Sequence, residues 1–361
     1  MKKQSQTVFV AMSGGVDSSV TAALLKKQGY TVVGVFMKNW SEDDPNTGIC
    51  TAEADFADVR AVCQFLDIPY YTFNFEEEYK ARVLDYFFKE YLAGRTPNPD
   101  VMCNKEVKFD LFLNKALKLG ADFIATGHHI RKGATKAGIQ ELLKGVDPIK
   151  DQTYFVYNLT QEQLSHCLFP IGEYTKAQVR KLAHQMKLPT ADKKDSQGIC
   201  FIGPIEVRDF LKTVIKPKKG NIVNQEGKIL GHHEGAWFYT IGQRRIQGLD
   251  GQPHPLYVVA TDIKKNTVTV GPDSATFNPG VALESFHFIH SSYKPTKSLH
   301  LDAKPRYSPQ VFPGTLELKG KTWQFIFDEP ERALTPGQSL VLYNQDVCIG
   351  GGVIKDVLTN Q

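Results

Sequence analysis

Apolar runs alternate with helix-like segments along the first third of the chain. Residues 7–11 form an apolar run that predicts a buried strand, and a helix with an apolar face follows from Asp17. Gly29 is expected to end that helix, residues 31–37 predict a second buried strand, and residues 69–75 predict a third. This alternation predicts an α/β fold in which a parallel sheet carries helices on both faces.

Further helices and a fourth strand are predicted before residue 127. A helix begins near Thr51, another runs from 76 to 92 and ends at Gly94, and a third runs from 105 to 119. Residues 122–126 predict the next strand. Because ligands bind beyond the carboxyl ends of parallel strands, the site is expected in three segments. They are the turn at 12–19, Met37-Lys38-Asn39 and Gly127-His128-His129.

The second half of the chain changes from helical to strand-rich character. Thr160 with Gln163, and Thr175 with Gln178, have the spacing of capping boxes, so a helix is predicted after each threonine. Beyond residues 217–220, short apolar runs separated by Gly, Pro and Asn predict a small β-rich domain and then a β-barrel. The predicted strands are 222–223, 228–230, 256–260, 267–270, 315–318, 323–327 and 340–343. We therefore expect domains at 1–210, 211–275 and 276–361.

The composition is that of an ordinary globular protein. Of the 361 residues, 42% are hydrophobic and 23% are charged, and no apolar run is long enough to cross a bilayer. The N-terminus leads into a strand without a signal-peptide core, so we expect a cytoplasmic protein with no membrane partner. The net charge of +4 permits an anionic partner, although each basic cluster alone is also typical of a solvated surface.

The strongest chemical signal is the turn Met12-Ser13-Gly14-Gly15-Val16-Asp17-Ser18-Ser19. The N–H groups of such a turn and the positive end of the next helix converge on one point, which suits a phosphate. No Lys follows the glycines, so the turn suits the pyrophosphate half of ATP better than a transferred γ-phosphate. The string S-G-G-x-D-S resembles the signature of the PP-loop ATP pyrophosphatases, which adenylate a substrate oxygen. A purely structural glycine turn is the alternative.

Six cysteines give a second signal. Their spacing contains no C-x-x-C and no zinc-finger pattern, so neither a structural metal nor a disulfide framework is indicated. Cys63, Cys167 and Cys348 lie in apolar surroundings and are predicted core residues, whereas Cys50 has no assignment.

The two remaining cysteines, Cys103 and Cys200, lie in predicted loops. The prolines before Cys103 exclude a helix there, so this thiol is expected at the start of a helix that carries Lys105. Cys200 follows Lys193 and Lys194 in a glycine-flanked loop. Both settings favour a thiolate, as a nucleophile or sulfur carrier requires, although either cysteine alone could be an ordinary loop residue.

At this point the resemblance to a family becomes specific. The chain carries, in order, S-G-G-V-D-S-S at 13–19, F-M-K-N-W at 36–40, G-R-T-P-N-P-D-V-M-C-N-K at 94–105, A-T-G-H-H at 125–129, K-D-Q-T-Y-F at 150–155, K-K-D-S-Q-G-I-C-F-I-G at 193–203 and T-P-G-Q-S at 335–339. This series resembles the bacterial tRNA-specific 2-thiouridylases (the MnmA/TrmU family), from end to end. The resemblance implies a Rossmann-like PP-loop domain and ATP-dependent replacement of the 2-oxygen of the wobble uridine by sulfur.

The resemblance also implies roles for the thiols and the nucleotide loop. Cys200 would carry a persulfide from a relay protein, and Cys103 would either release its outer sulfur or close a Cys103–Cys200 disulfide after transfer. Asp17 would help to hold Mg²⁺, with a helix cap as the alternative. The implied ATP-binding residues are Ala11, Met12, Ser13, Gly14, Gly15, Val16, Asp17, Ser18, Met37 and Gly127.

The target base of the tRNA would be held by a rigid loop beside the nucleophile. Asn98, Pro99 and Asp100 match the family's segment for the target base, which must leave its stack to be reached. The matching tRNA-contact positions are His128, Lys150, Asp151, Gln152, Arg306, Tyr307 and Gln338. Without the resemblance, Arg306 and Tyr307 could be barrel surface and His128 a core histidine or a general base. The tRNAs for lysine, glutamate and glutamine are the expected substrates, and a monomer is the default.

The chain departs from the family pattern at two places. Ala11 replaces a common glycine, and Arg245-Ile246 replaces the usual Lys-Gly after G-Q-R, which affects only contact detail. Three other functions compete with thiolation: an adenylating synthetase that uses a nitrogen nucleophile, an RNA-binding module that uses ATP as a switch, and a sulfurtransferase for another base. The cysteine pair argues against the first.

Overall fold

The N-terminal half is built on a parallel sheet. The structure is a computed structural model that describes residues 5–40, 51–195, 206–249 and 254–359. The first seven strands are β1 (Thr7–Met12), β2 (Thr31–Lys38), β3 (Tyr70–Asn74), β4 (Phe123–Ala125), β5 (Ile130–Ala134), β6 (Gln140–Lys144) and β7 (Cys167–Leu168). Five of them pair in parallel in the order β3-β2-β1-β4-β7. This order confirms the α/β prediction and places the ends of β1 and β4 side by side.

Helices cover both faces of this sheet at close range. Helix α1 (Val16–Lys27) follows β1 and ends before Gly29, and helix α2 (Thr51–Phe65) precedes β3. A Cβ added to Gly34 of β2 would lie 2.6 Å from the Cys63 sulfur of α2. Cys63 is therefore a core residue, as predicted, and burial raises the pKa of its thiol to about 11.

Two further helical stretches follow β3. The first consists of Glu76–Tyr79, Lys80–Leu84 and Asp85–Leu92, as expected, and the second of Pro99–Cys103, Asn104–Phe112 and Leu113–Lys118. The predicted start of the second helix at residue 105 is wrong. Asn98 caps this helix by accepting a hydrogen bond from Val101 N (3.1 Å), and Pro99 occupies its first position, where a missing N–H costs nothing.

Both predicted capping boxes are present. Thr160 caps Gln161–Ser165 and Thr175 caps Lys176–Gln185, each in reciprocal bonding with the Gln three residues later. The apolar face of the second helix packs on α1, with Val179 and Ala183 in one cluster with Val16 and Val20. Among the described residues, no helix combines the length and apolar character that a bilayer crossing requires.

The remaining strands form two β-sheets. They are β8 (Gly220–Val223), β9 (Ile229–His233), β10 (Tyr257–Asp262), β11 (Thr267–Gly271), β12 (Phe277–Leu283), β13 (His287–Phe288), β14 (Ser298–Lys304), β15 (Phe312–Lys319), β16 (Thr322–Arg332), β17 (Ser339–Asn344) and β18 (Val347–Leu358). Among the described residues, one sheet has the order β10-β11-β8-β9 and the other β12-β16-β15-β14-β17-β18-β6-β5, with β13 on β18. β18 also pairs with β12, which closes the second sheet.

The β5–β6 hairpin was missed by the sequence analysis. It belongs to the N-terminal half in sequence, yet β6 pairs with β18 through Leu143 and Val347. Residues 350–352 lie within β18, where a Cβ on Gly352 would lie 2.1 Å from Ser285 O. The domain limits 1–210, 211–275 and 276–361 stay predictions.

A buried ion pair joins the turn after β6 to the barrel. Asp151 and Lys304 are each 2% exposed, and their charged atoms lie 2.9 Å apart. Thr153 Oγ1 donates to Asp151 (2.9 Å) and lies 3.1 Å from the Tyr343 hydroxyl. Removing one member of such a pair leaves a buried charge without compensation.

We expect Lys304→Met to lower the free energy of unfolding by about 3–5 kcal/mol, because Asp151 would stay buried and unpaired. Urea denaturation followed by circular dichroism measures this. Lys319→Met, which removes the exposed pair with Glu317, is the matched control and should cost about 0–1 kcal/mol. Equal losses in the two variants would show that Asp151–Lys304 does not hold the barrel in place.

Candidate active site

The turn after β1 is shaped by two glycines and by α2. Gly14 has φ +72°, a conformation that L side chains rarely adopt, and its added Cβ would lie 2.7 Å from Asp55 O. Gly15 is the N-cap of α1 and supplies no side-chain cap. The first N–H groups of α1 therefore stay available to a bound anion.

Hydroxyl groups brace this turn from inside. Ser18 Oγ donates to Gly15 O (3.1 Å) and accepts from Ser13 N (3.3 Å). Ser19 Oγ also donates to Gly15 O (2.8 Å), and Thr190 Oγ1 donates to Ser19 Oγ (2.9 Å). These bonds fix the turn, and only Ser13 among its serines is exposed.

The other predicted nucleotide residues converge on the same edge. Ala11 and Met12 end β1, Met37 lies near the end of β2, and all three are buried. Gly127 follows β4 and packs directly on α1, since its added Cβ would lie 2.8 Å from Ser18 N. The structure thus brings together the segments that the sequence placed apart.

Asp17 lies in the first turn of α1 and is ion-paired. Both of its carboxylate oxygens lie 2.8 Å from Lys176 Nζ, and Oδ1 lies 3.5 Å from His129 Nε2. Burial acts to raise the pKa of Asp17, but the nearby His129 ring and the charge of Lys176 outweigh it and lower the pKa. The helix-cap alternative for Asp17 is wrong, because Gly15 is the N-cap.

The predicted magnesium site has one candidate carboxylate ligand, Asp17. The described residues contain no group of three or more His, Cys, Asp or Glu side chains that could hold a metal ion. A single carboxylate nevertheless fits Mg²⁺, which keeps several waters and takes its other ligands from substrate phosphates. Asp17 therefore suits a magnesium ion that arrives with a nucleotide.

Lys176 also belongs to a second group of ion pairs, which is centred on Asp195. Its Nζ lies 2.9 Å from Asp195, which also binds Lys150 (3.1 Å) and Arg180. Burial acts to raise the pKa of Asp195, but bonding to Lys176 and Lys150 lowers it to about 2. Lys150, a predicted tRNA contact, is thus engaged with Asp195 in this structure.

Lys193 was expected to favour a thiolate at Cys200. The structure pairs Lys193 Nζ with Asp55 (2.8 Å) and Asp58 (2.6 Å) of α2, beside Gly14. Its charge is therefore already balanced by two carboxylates. Cys200 and Cys50 lie outside the described residues.

Cys103 lies in the second turn of the helix that starts at Pro99, not at a helix N-terminus as predicted. Its side chain is fully buried and shares a core cluster with Ala11 and Met37. Asn104 Nδ2 donates to Asp100 O (2.9 Å), which ties the next residue back to the first turn. The thiol thus lies in the core, in the same short helix as Pro99 and Asp100 of the segment expected to hold the target base.

The barrel contacts the turn that precedes residues 98–100, the segment expected to hold the target base (the base-holding segment). Gln338 Nε2 donates to Thr96 O (2.9 Å) and Pro97 O (3.2 Å), and Thr96 N donates to Pro336 O (2.9 Å). Gly337, at φ +94°, allows the approach, since its added Cβ would lie 2.8 Å from Thr96 O. Gln338 therefore supports the loop before Asn98.

The predicted tRNA contacts divide into exposed and buried groups. Tyr307 is 41% exposed and packs against Phe155 with ring centroids 4.5 Å apart and an interplanar angle of 42°, so part of its ring is open to solvent. Arg306 is partly exposed but donates to Glu331 (2.6 Å). Gln152 accepts from His129 N (2.9 Å).

His128 and Asp151 belong to the buried group. His128 lies 2.7 Å from Thr126 Oγ1, and burial, together with the charges of Lys108 and His129, lowers its pKa well below the usual range. Because both side chains are buried and Asp151 is paired with Lys304, neither side chain is exposed to a partner in this conformation. Their tRNA contacts stay predictions.

Sequence reasoning missed Lys176 at this edge, and it placed Asn39 there without giving it a role. Lys176 was visible only as the residue after a capping threonine, and its contact with Asp17 spans 159 positions. Asn39, directly after β2, is 1% exposed, and neither amide atom has a hydrogen-bond partner among the described residues. A bound substrate at this edge would satisfy that amide.

Family models match the chain in three consecutive parts. Residues 6–204 match the model described as the tRNA methyl transferase HUP domain, and residues 208–272 the tRNA methyl transferase PRC-barrel domain. Residues 279–354 match the aminomethyltransferase beta-barrel domain. The order confirms the predicted fold class, an α/β part followed by a small β-rich part and a barrel.

Similar proteins cover the chain almost completely. A protein of Lysinibacillus sphaericus (strain C3-41), named tRNA-specific 2-thiouridylase MnmA, is 48% identical over 97% of this chain and 94% of its own length. Proteins of the same name from Staphylococcus epidermidis (strain RP62A) and Streptococcus uberis (strain 0140J) are 47% and 48% identical, over 100% and 96% of this chain and 98% and 94% of their own lengths. With this identity and coverage, the chain belongs to the tRNA-specific 2-thiouridylase family.

Proposed function

We propose that this protein is a tRNA uridine 2-sulfurtransferase that uses ATP to activate the uridine oxygen. One observation carries the proposal. In a member of the 2-thiouridylase family, the first turn of α1 leaves its N–H groups without a side-chain cap, and the buried Cys103 shares one core cluster with Ala11 of β1 and Met37 of β2. An anion site and a thiol in the same half of the chain are what activation followed by sulfur attack requires.

The reaction proceeds in two steps, adenylation of the uridine oxygen and its displacement by sulfur. The 2-oxygen of the wobble uridine attacks the α-phosphorus of ATP, and pyrophosphate leaves. A sulfur nucleophile then attacks C2, and the original oxygen departs as part of AMP. A free uracil carbonyl is a poor electrophile with a poor leaving group, and adenylation removes both obstacles.

The chain's own residues hold the nucleotide at the edge of the sheet. The N–H groups at 14–18 bind the pyrophosphate half, and Met37 and Gly127 line the adenosine side. Gly127 suits this role because no side chain separates β4 from the first turn of α1. Mg²⁺ would neutralise phosphate charge, and Asp17 is the carboxylate that would hold it.

The two thiols divide the sulfur chemistry. Cys200 carries the outer sulfur as a persulfide received from a relay protein. Cys103 attacks the inner sulfur of that persulfide and forms a disulfide with Cys200, while the outer sulfur leaves with the electron pair and attacks C2. The alternative order, sulfur transfer first and disulfide closure afterwards, gives the same products.

The tRNA binds across the barrel and the base-holding segment. Asn98, Pro99 and Asp100 receive the extruded base, and Gln338 fixes the preceding turn. Tyr307 offers a partly exposed ring for stacking on a nucleotide, and the tilted contact with Phe155 holds that ring in place. The tRNAs for lysine, glutamate and glutamine are the proposed substrates.

The proposal predicts 2-thiouridine when the purified protein reacts with ATP, Mg²⁺, unmodified tRNA and a persulfide donor. Nucleoside mass spectrometry detects the product, and AMP should form in equal amount. Omission of ATP is the control and should give no 2-thiouridine. AMP production without tRNA, from another acceptor and without thiolation, would contradict the proposal.

We expect Cys103→Ser and Cys200→Ser each to abolish thiolation, because a hydroxyl neither carries nor releases persulfide sulfur. Cys63→Ser is the matched control. It places a hydroxyl in a sealed apolar site under Gly34 and should lower the thermal midpoint while the folded protein stays active. Full thiolation by Cys200→Ser would remove the persulfide assignment.

A further inference from the structure

We infer that Lys176 binds the pyrophosphate half of ATP, exchanging Asp17 for a phosphate oxygen when the nucleotide enters. The inference rests on the proposed use of ATP. It gives a function to a lysine that lies 159 positions from the phosphate turn and that no motif in the sequence marks.

The backbone of Lys176 is fixed in place. Lys176 is the first residue of its helix, and the Thr175–Gln178 capping box defines where that helix begins. Its own N–H donates to Asp147 Oδ2 (2.9 Å). The helix is then held against α1 by apolar packing, with Val179 and Ala183 in one cluster with Val16. These contacts place the ammonium group of Lys176 at the first turn of α1.

The ammonium group lies at the anion-binding end of α1. Its nitrogen lies 2.8 Å from each carboxylate oxygen of Asp17. Asp17 is two residues after Gly15, the N-cap of α1, which supplies no side-chain cap. The Lys176 side chain is only 13% exposed, so its charge is held in a partly desolvated position. A phosphate bound by the N–H groups of this turn would lie within reach of the same ammonium group.

The local charges allow the exchange. Asp17, Asp195 and Asp147 supply three negative charges, and Lys176, Lys150 and Arg180 supply three positive ones. Asp195 keeps Lys150 and Arg180 if Lys176 turns away, so the exchange leaves no carboxylate at that position unpaired. Asp17, released from Lys176, becomes available to a magnesium ion that arrives with the phosphates.

A purely structural ion pair would predict a different pattern of ligand dependence. If Lys176 only stabilised the fold, its loss would affect every ligand of the site in the same way. If Lys176 binds phosphate, its loss weakens only ligands that carry a pyrophosphate group. Adenosine and AMP separate the two possibilities, because neither contains one.

We expect Lys176→Met to weaken the binding of ATP and of inorganic pyrophosphate by about 10- to 100-fold, the effect of losing one charge-assisted hydrogen bond. The affinity for adenosine should stay unchanged. Lys176→Arg, which keeps the charge, should recover part of the loss. Isothermal titration calorimetry with the full-length protein measures all three ligands.

Lys181→Met is the matched control, since Lys181 is an exposed lysine of the same helix, and it should bind every ligand as the wild type does. Wild-type affinity for pyrophosphate in Lys176→Met, or an equal loss for adenosine and ATP, would overturn the inference. Failure of the wild type to bind ATP would instead overturn the proposed function, and the inference with it.

Should Lys176→Met fail to fold, Asp17→Asn keeps the test intact. This substitution removes the charge that competes for Lys176, so Mg²⁺-free pyrophosphate should bind at least several-fold more tightly than it binds the wild type. Unchanged or weaker binding of Mg²⁺-free pyrophosphate by Asp17→Asn would contradict the exchange.

Discussion

The open N-terminus of α1 is the constraint on which the rest of the site depends. Its N–H groups stay available because Gly15 caps without a side chain, and because Gly14 and Gly127 let neighbouring backbone approach closely. Packing on both sides fixes this arrangement, with α2 over Gly14 and β4 running into Gly127. The same closeness explains why Asp17 needs a counter-charge, which Lys176 provides.

The barrel acts on the site from outside the parallel sheet. Gln338 and Gly337 hold the turn before Asn98, and the Asp151–Lys304 pair anchors the connection between β6 and the barrel. The β5–β6 hairpin extends the barrel sheet, so the N-terminal half and the barrel share one set of backbone hydrogen bonds. A segment placed in this way can meet an extruded base in a fixed geometry, which lowers the entropy cost of reaction.

The sequence predicts the structural features that depend on local patterns, but it does not predict contacts between segments far apart in the chain. The buried strands β1 and β2 and both capping boxes follow from periodicity and from i to i+3 spacing, so they were predicted. The predicted helix start at residue 105 is wrong, because the helix begins at Pro99. Proline breaks a helix in its interior, but at the first position its fixed φ suits a helix. The β5–β6 pairing and the Lys176–Asp17 contact depend on distant segments, which no local pattern encodes. The burial of Asp151 was missed for the same reason, whereas the burial of His128 agrees with the core-histidine alternative.

The central claim is that the uridine oxygen itself becomes part of AMP. A tRNA whose wobble uridine carries ¹⁸O at C2 tests it directly, in one reaction with ATP and a persulfide donor. The account predicts one ¹⁸O atom in AMP for each 2-thiouridine formed, measured by mass spectrometry. Unlabelled AMP, with the ¹⁸O recovered in water or in pyrophosphate, would contradict it.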